Sequence, residues 1–362
     1  MWLLAGCNKN PDDPTTDLFA TYDRRGMLTS VRDNVIRPAY VDFATAAAAL
    51  ETSATRFQAA PDTAALRAVR QAWRTAVLAW AHAAPYDFGP AEAFSTAAGV
   101  AYAANATVIE RAITPSAVID AAYIENLGAP AKGLNALEYL LFSRAAGADP
   151  IPALFTTGAN AAQRRAYLAA LTTDVRAKAD RVRQAWLTGT APTQFVEADG
   201  NDVTSSLSLL TNALVRQTEQ LKNTDLGLPL GDLNAGVVVP TAVPHYPSAL
   251  SLAFIGAELG ALEALYAGSR AGATPAPGPD DLLDHLGAGT NGQRLSQRIT
   301  AQFAACRQKL AAIAAPLDVA LVQNPAAVRD LYHETKQLTV LLKADMVSQL
   351  GVLLTFNDND GD

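Results

Sequence analysis

The stretch PDTAALRAVRQAWRTAVLAWAH, residues 61–82, decides the fold class of this chain. Its apolar residues recur at spacings of three and four, which places them on one face of a helix: Leu66, Val69, Trp73, Val77 and Trp80. Asp62 precedes the first turn and predicts an N-cap. The pattern is typical of an amphipathic α-helix packed on a core.

The same helical period recurs along most of the chain. It is clear in AAQRRAYLAALTTDVRAKADRVRQAWL, residues 161–187, and it returns in four further segments: 202–222, 247–267, 291–315 and 325–355. The alternation of a strand occurs only in short pieces such as GVVVP, residues 236–240. The sequence therefore predicts an all-α protein.

Composition limits the class of protein. Of the 362 residues, 50% are hydrophobic and 17% are charged, so the chain can bury a sizeable core and is not globally disordered. The net charge of -7 and the absence of a basic stripe argue against a nucleic-acid partner.

Stretches rich in Gly and Pro divide the helical segments. One of them, residues 143–160, can separate two helical halves, and the long stretch 223–247 is of a kind that is often functional. The predicted organisation is a signal-peptide remnant (1–7), a flexible tether (8–25), an N-terminal helical half (26–150), a C-terminal helical half (160–357) and an acidic tail (358–362).

The N-terminus carries a candidate lipidation signal. LLAGC, residues 3–7, resembles a bacterial lipobox, in which the cysteine becomes the acylated N-terminus. The polar run after Cys7 has the composition of a tether. We therefore expect a membrane partner through a lipid anchor at Cys7 and a place in the bacterial envelope, with the outer membrane preferred.

One acidic residue lies where an apolar residue is expected. In GLNALEYLLF, residues 133–142, an apolar arc is formed by Leu134, Leu137, Leu141 and Phe142. Glu138 falls inside this arc, and a carboxylate in apolar packing is costly unless it is compensated. Three explanations stay open: an ion pair with Lys or Arg, a neutral buried acid, or contact with a metal or ligand. Asn135 shares the face of Glu138.

Around these residues the chain resembles the imelysin family of bacterial envelope proteins. The matching segments follow in the family's order: NVIRPAYVDF (34–43), AWRTAVLAWAHAAPYDFGPAE (72–92), KGLNALEYLLF (132–142), LGLPLG (226–231), YPSALSL (246–252) and LGVLLTFNDNDGD (350–362). The resemblance implies two helical-bundle-like halves packed together, with a cleft between them that holds the site.

The resemblance also implies site residues, and two of them are replaced. The family signature is G-x-H-x-x-E, with the His and Glu as metal ligands. Gly133 and Glu138 match it, whereas Asn135 stands in the His position, and an amide is a poor ligand for zinc or iron. A further Glu often precedes the family's Phe-Gly-Pro motif, which is Phe88, Gly89 and Pro90 here. Its position corresponds to Ala84, with only Asp87 nearby.

What remains is an oxygen-rich set of candidate ligands: Glu138, Asn135 and Asp87, joined from the second half by His245, Tyr246 and Ser248. Such a set suits a hard cation or a polar ligand, and the metals considered are iron, calcium and zinc. It lacks the three protein ligands and activated water of a zinc hydrolase.

The expected function is therefore a non-catalytic binding lipoprotein of the envelope that holds iron, another metal or a small ligand in the cleft. The iron connection comes from the family resemblance, and an envelope protein is a possible partner. One alternative is a metallopeptidase in which His245 replaces the signature histidine. Another is a scaffold lipoprotein with a vestigial cleft, in which Glu138 contributes nothing.

Overall fold

The computed structural model of the protein describes residues 18–114, 118–144, 147–290 and 292–355. This part of the chain is all-α apart from one hairpin of two two-residue strands, which confirms the predicted fold class. The predicted lipobox with Cys7 and the predicted acidic tail, residues 358–362, lie outside the described residues. Helix formation begins inside the segment predicted as a tether, because Asp23 caps a helix that starts at Arg24.

The first eleven helices are α1 (Leu18–Thr21), α2 (Arg24–Val31), α3 (Arg37–Ala59), α4 (Thr63–Ala83), α5 (Pro90–Ala93), α6 (Thr96–Ala101), α7 (Ala106–Ala112), α8 (Ala121–Glu125), α9 (Gly133–Leu141), α10 (Ile151–Thr156) and α11 (Ala161–Thr188). The later ones are α12 (Ala191–Glu197), α13 (Ser206–Gln220), α14 (Leu228–Leu230), α15 (Ser251–Tyr266), α16 (Pro279–His285), α17 (Leu295–Ala311), α18 (Leu317–Gln323), α19 (Pro325–Val340) and α20 (Val347–Leu350). Strands β1 (Gly289–Thr290) and β2 (Gln293–Arg294) pair antiparallel between α16 and α17.

Three of the long helices contain a π-helical segment, in which the turn is wider by one residue. These segments are Arg32–Ile36 between α2 and α3, Leu221–Gly227 between α13 and α14, and Leu341–Met346 between α19 and α20. Short 3₁₀ turns lie at Ala84–Tyr86, Ala129–Ala131 and Pro240–Ala242. The stretch 223–247, read from the sequence as a linker, is therefore helical as far as Leu230.

Helix α4 forms as its sequence predicts. The carboxylate of Asp62 accepts a hydrogen bond of 2.8 Å from the backbone N–H of Ala65, which caps the helix. The apolar stripe is buried, and Trp73 is fully enclosed. Its indole Nε1 donates to the carbonyl of Leu134 at 2.8 Å, which ties α4 to the start of α9. Burying side chains of this size stabilises the fold by about 2 kcal/mol each.

The helices pack in two groups that share one core. In the first group α3 lies between α4 and α11, and α9 packs on α4 and α11. In the second, α15 and α19 pack on α17, and α13 contacts α15 and α19. Helix α15 also packs along α4, so the buried core runs without a break from one group to the other. Helix α11 follows the predicted boundary at 150–160 but packs on α3, which precedes that boundary. The division of the chain into two halves there stays a prediction.

None of the helices in the described ranges is both long and apolar enough to cross a bilayer.

Candidate functional site

The signature segment forms α9, and its first residue must be glycine. Gly133 has φ +76°, which side chains disfavour. A Cβ there would lie 2.2 Å from the carbonyl oxygen of Val100, at the C-terminal end of α6. Gly133 thus allows the start of α9 to approach α6 closely, and this approach positions the residues that follow.

Glu138 is buried, with 5% of its surface exposed, and its carboxylate is satisfied by hydrogen bonds. Oε1 accepts from the backbone N–H of Ser248 at 3.1 Å and from its hydroxyl at 2.7 Å. Oε2 lies 2.9 Å from Nδ1 of His245. Its partners are therefore a serine and a histidine rather than the Lys or Arg of the predicted ion pair, and contact with a metal or ligand stays a prediction.

The partners of Glu138 lie in a strained loop between the 3₁₀ turn at Pro240–Ala242 and α15. His245 has φ +51° and Ala249 has φ +56°, a region that non-glycine residues rarely adopt. The His245 ring packs edge-on against Phe254 and Trp73, at centroid distances of 4.5 and 5.6 Å. Such strain persists where surrounding contacts fix it and is frequent at functional sites.

Asn135, which stands in place of the signature histidine, uses its side chain to hydrogen-bond the backbone. Its Nδ2 donates to the carbonyls of Ala101 and Tyr102 at 2.9 and 3.1 Å. The amide therefore ties α9 to the end of α6, and only Oδ1 is left for a ligand.

A cavity of about 370 Å³, here called the central cavity, lies beside these residues and opens to solvent. Its walls come from both groups of helices: Val77, Trp80, Ala84, Asp87, Ala97, Ala101, Leu134 and Asn135 from the first, and Arg216, Gln217, Gln220, His245, Phe254 and Glu258 from the second. Trp80 and Glu258 are buried, whereas Arg216 and Gln220 are exposed. The size is within the range of small-molecule sites.

Asp87 is the second acid that the sequence pointed to, and it lines the central cavity. No donor in the described chain reaches its buried Oδ1. Burial raises the pKa of Asp87, and the nearby positive charge of Arg216 opposes that rise. In the motif that follows, Gly89 has φ +57° and precedes α5, while the Phe88 ring stacks on Phe195. The motif is therefore a turn and a packing element.

The structure groups the six predicted residues in three ways. Glu138, His245 and Ser248 form one hydrogen-bonded cluster. Asn135, Asp87 and His245 line the central cavity, whereas Glu138 lies behind His245 and is not among the lining residues. Tyr246 points elsewhere, with its ring against the guanidinium of Arg144 at 5.2 Å.

Sequence reasoning missed the wall contributed by α13 and α15. Arg216, Gln217 and Gln220 lie on an ordinary polar face of α13, so nothing distinguished them. Glu258 carried a usable signal, because it interrupts the apolar run SLAFIGAELGALEALY, residues 251–266, as Glu138 interrupts its own arc.

The donor set does not fit the metal centre that the family resemblance implies. Within the described ranges no group of three or more His, Cys, Asp and Glu side chains is arranged to hold a metal ion. The Asn135 amide is engaged with carbonyls, and both oxygens of Glu138 accept hydrogen bonds from protein donors. These residues therefore do not match that metal centre, and the expected iron, calcium or zinc ion stays a prediction.

Comparisons with known proteins agree with the resemblance. The sequence model of a family described as imelysin matches residues 36–344. The iron-regulated protein A of Synechococcus elongatus (strain ATCC 33912 / PCC 7942 / FACHB-805) is 26% identical over 319 residues, which are 84% of this chain and 80% of that protein.

Two solved structures share the fold. An imelysin-like protein from Psychrobacter arcticum 273-4 has a TM-score of 0.73 at 22% identity, covering 92% of this chain and 97% of its own. A structure described as an iron-regulated protein A precursor, from Parabacteroides distasonis ATCC 8503, has a TM-score of 0.71 at 18% identity, covering 91% and 95%. These likenesses confirm the imelysin-like all-α fold.

Proposed function

The chain belongs to the imelysin family, and on that premise we propose that it is a non-catalytic binding protein of the bacterial envelope. The ligand is a small polar molecule held in the central cavity. The lipobox-like segment that ends at Cys7 supports an anchor in the envelope. The names of the relatives support a role in a process that responds to iron supply.

The observation that carries the proposal is the use of Glu138 as a structural group. The carboxylate of Glu138 has about four acceptor positions, and three of them are directed at the protein's own His245 and Ser248. With Asn135 in the signature position, the neutral amide there cannot act as a general base.

The central cavity itself has the properties of a ligand site. Its volume of about 370 Å³ admits an organic molecule, and its walls offer a carboxyl at Asp87 and a guanidinium at Arg216. The Arg216 side chain makes no salt bridge of 4 Å or less with any other described residue, so its donors are available to a ligand.

A screen with a matched pair of variants tests the proposal. Ala97 lines the central cavity, while its neighbour Ala98 on α6 is exposed. We expect that a ligand from a panel of small polar molecules stabilises the wild type and the Ala98→Leu variant but not the Ala97→Leu variant. At a hundredfold excess over Kd the stabilisation is about 2.7 kcal/mol, or about 3–4 °C in Tm for a chain of this length.

Two results of this screen would contradict the proposal. One is a panel that stabilises none of the three proteins. The other is a set of ligands that stabilises all three equally, because binding would then lie outside the central cavity.

One observation favours the metallopeptidase alternative. The Glu138 carboxylate orients His245, and a carboxylate that fixes a histidine ring is a common support for a metal ligand. The test is metal content by mass spectrometry together with cleavage of unfolded casein. One equivalent of metal and metal-dependent cleavage, both lost in Glu138→Gln, would establish the peptidase and refute the binding protein.

A further inference from the structure

Two buried carboxyls lie at one end of the central cavity. Glu258 on α15 lines the cavity although only 2% of its surface is exposed. Asp225 lies behind it in the π-helical segment Leu221–Gly227, with 5% exposed. The two carboxyls are near enough for each to affect the pKa of the other.

Each of these carboxyls has a buried oxygen without a donor. Among the described residues no N–H or hydroxyl donor reaches Oδ2 of Asp225 or Oε2 of Glu258. Two buried carboxylates repel each other when both are charged, which favours a proton on one of the pair. Burial, and then the charge of Asp225, raise the pKa of Glu258 well above its usual range. Burial likewise raises the pKa of Asp225 to about 7.

The surroundings of Glu258 suit a cationic nitrogen. Oε1 of Glu258 accepts a hydrogen bond of 2.8 Å from Gln217, which fixes the carboxyl. Phe254 lies one turn earlier on the same face of α15, and both Phe254 and Trp80 line the central cavity. Aromatic rings beside carboxyls attract ammonium groups through their π faces. An ammonium also has three donors, which can use oxygens that lack donors here.

From this arrangement we infer that the Glu258 end of the central cavity is a subsite for a protonated amine, which enters as the proton held by the two carboxyls leaves for solvent. The inference rests on the proposed ligand-binding function and specifies the ligand class. The exchange is balanced in charge: one ammonium enters and one proton is released. It also explains why a costly pair of acids is retained beside an open cavity.

Other ionisable groups lie on the cavity wall, on the two elements that carry the pair, or against α15, and they have partners or are separable by mutation. They are Asp87, Arg216, Glu219, Lys222, His82, Glu263 and Arg307. Glu219 pairs with Lys222 at 2.5 Å and with Lys343 at 3.3 Å, and Glu263 pairs with Arg307. Burial lowers the pKa of His82, which keeps its ring neutral near pH 7. Asp87 shares the cavity, so its titration has to be removed separately.

The test compares amines with uncharged molecules of the same shape by isothermal titration calorimetry. The probes are 2-phenylethylamine and 1,4-diaminobutane, each against its alcohol, 2-phenylethanol and 1,4-butanediol. We expect each amine to bind at least about tenfold more tightly than its alcohol. Between about pH 6 and about pH 8 the affinity should rise by up to about tenfold per pH unit, because one proton is released on binding. Titrations in buffers of different ionisation enthalpy count that proton directly.

Variants assign the effect to the pair. Glu258→Gln and Asp225→Asn should each abolish the proton release and the preference for amines, whereas Asp87→Asn should leave the proton release in place. Glu263→Gln is the matched control on α15, because its carboxylate pairs with Arg307 outside the pair. Circular dichroism of each variant verifies that it is folded.

Failure of this inference differs from failure of the proposed function. If amines and alcohols bind equally, or if calcium chloride binds with proton release where amines do not, the amine subsite is wrong while the cavity remains a ligand site. If the amines do not bind but another molecule binds in a manner sensitive to Ala97→Leu, the same conclusion holds. If no molecule binds in a manner sensitive to Ala97→Leu, both the amine subsite and the proposed ligand-binding function are refuted.

Discussion

Replacing Glu138 by leucine separates a structural role of this acid from a vestigial one. The substitution leaves two buried hydroxyl or N–H donors of Ser248 and the Nδ1 of His245 without their acceptor. Leaving buried polar groups unpaired costs about 1–3 kcal/mol each, and breaking a buried pair costs about 3–5 kcal/mol in total. We therefore expect Glu138→Leu to lower the free energy of unfolding by about 3–5 kcal/mol.

The matched variant Glu138→Gln keeps an acceptor for Ser248 and requires only that the His245 ring change its tautomer. We expect it to cost about 1 kcal/mol. In thermal unfolding followed by circular dichroism, a loss of 4 kcal/mol lowers Tm by about 5 °C for a chain of this length. Glu92→Leu, at an exposed position on α5, controls for the added apolar surface.

A neutral or stabilised leucine variant would refute this reasoning. Exchange of a buried charge for an apolar side chain is often favourable where the charge serves no partner. That result would support the scaffold with a vestigial cleft and remove the argument that Glu138 holds the loop of His245.

Three further predictions follow from other parts of the fold. The pKa values of Asp225 and Glu258 are raised in the folded protein, so the folded state keeps protons that the unfolded chain releases above about pH 5. The free energy of unfolding should therefore fall as the pH rises toward about 7. The slope is about 1.4 kcal/mol per pH unit for each proton, and denaturation of Glu258→Gln at several pH values should show a flatter profile. Gly133→Ala should destabilise the fold by more than about 2 kcal/mol, because it adds a clash with a carbonyl oxygen to a positive φ. The control Gly128→Ala should be nearly neutral, since its Cβ would meet its nearest atom at 3.6 Å. Urea unfolding compares the two variants, and equal midpoints would contradict the role given to Gly133. Burial raises the pKa of the Cys306 thiol to about 12. In a Cys7→Ser variant, Cys306 should therefore react with a disulfide reagent near pH 8 only after denaturation. Fast labelling of the folded protein would contradict the burial of this thiol.

Local periodicity was sufficient to predict the helices and much of the core. The stripe of Trp73 and the cap at Asp62 depend on residues within a turn or two, so their positions follow from spacing alone. The prediction of a linker over 223–247 was wrong where the Gly and Pro residues of this stretch occur in a helix. There Pro229 is the second residue after a π-helical segment, where the α-helical hydrogen-bond pattern is already interrupted.

The candidate site could be predicted only in part, because its contacts join distant segments. The apolar arc around Glu138 indicated that the acid needed a partner, but Ser248 lies 110 residues later, in a loop with unusual backbone angles. No spacing rule predicts such a contact. The sequence did not identify Asp225 for a different reason, since it lies in a stretch whose composition indicates a loop. Only the fold brings it close to Glu258.

The hydrogen bonds of Glu138 have a consequence for how such chains change over evolutionary time. An acid that fastens α9 to a loop more than 100 residues away contributes to folding, whatever the chemistry beside it. A change at position 135 therefore leaves this role of the acid intact. The presence of the acid in a related chain is then evidence of architecture, and it does not by itself indicate enzymatic activity.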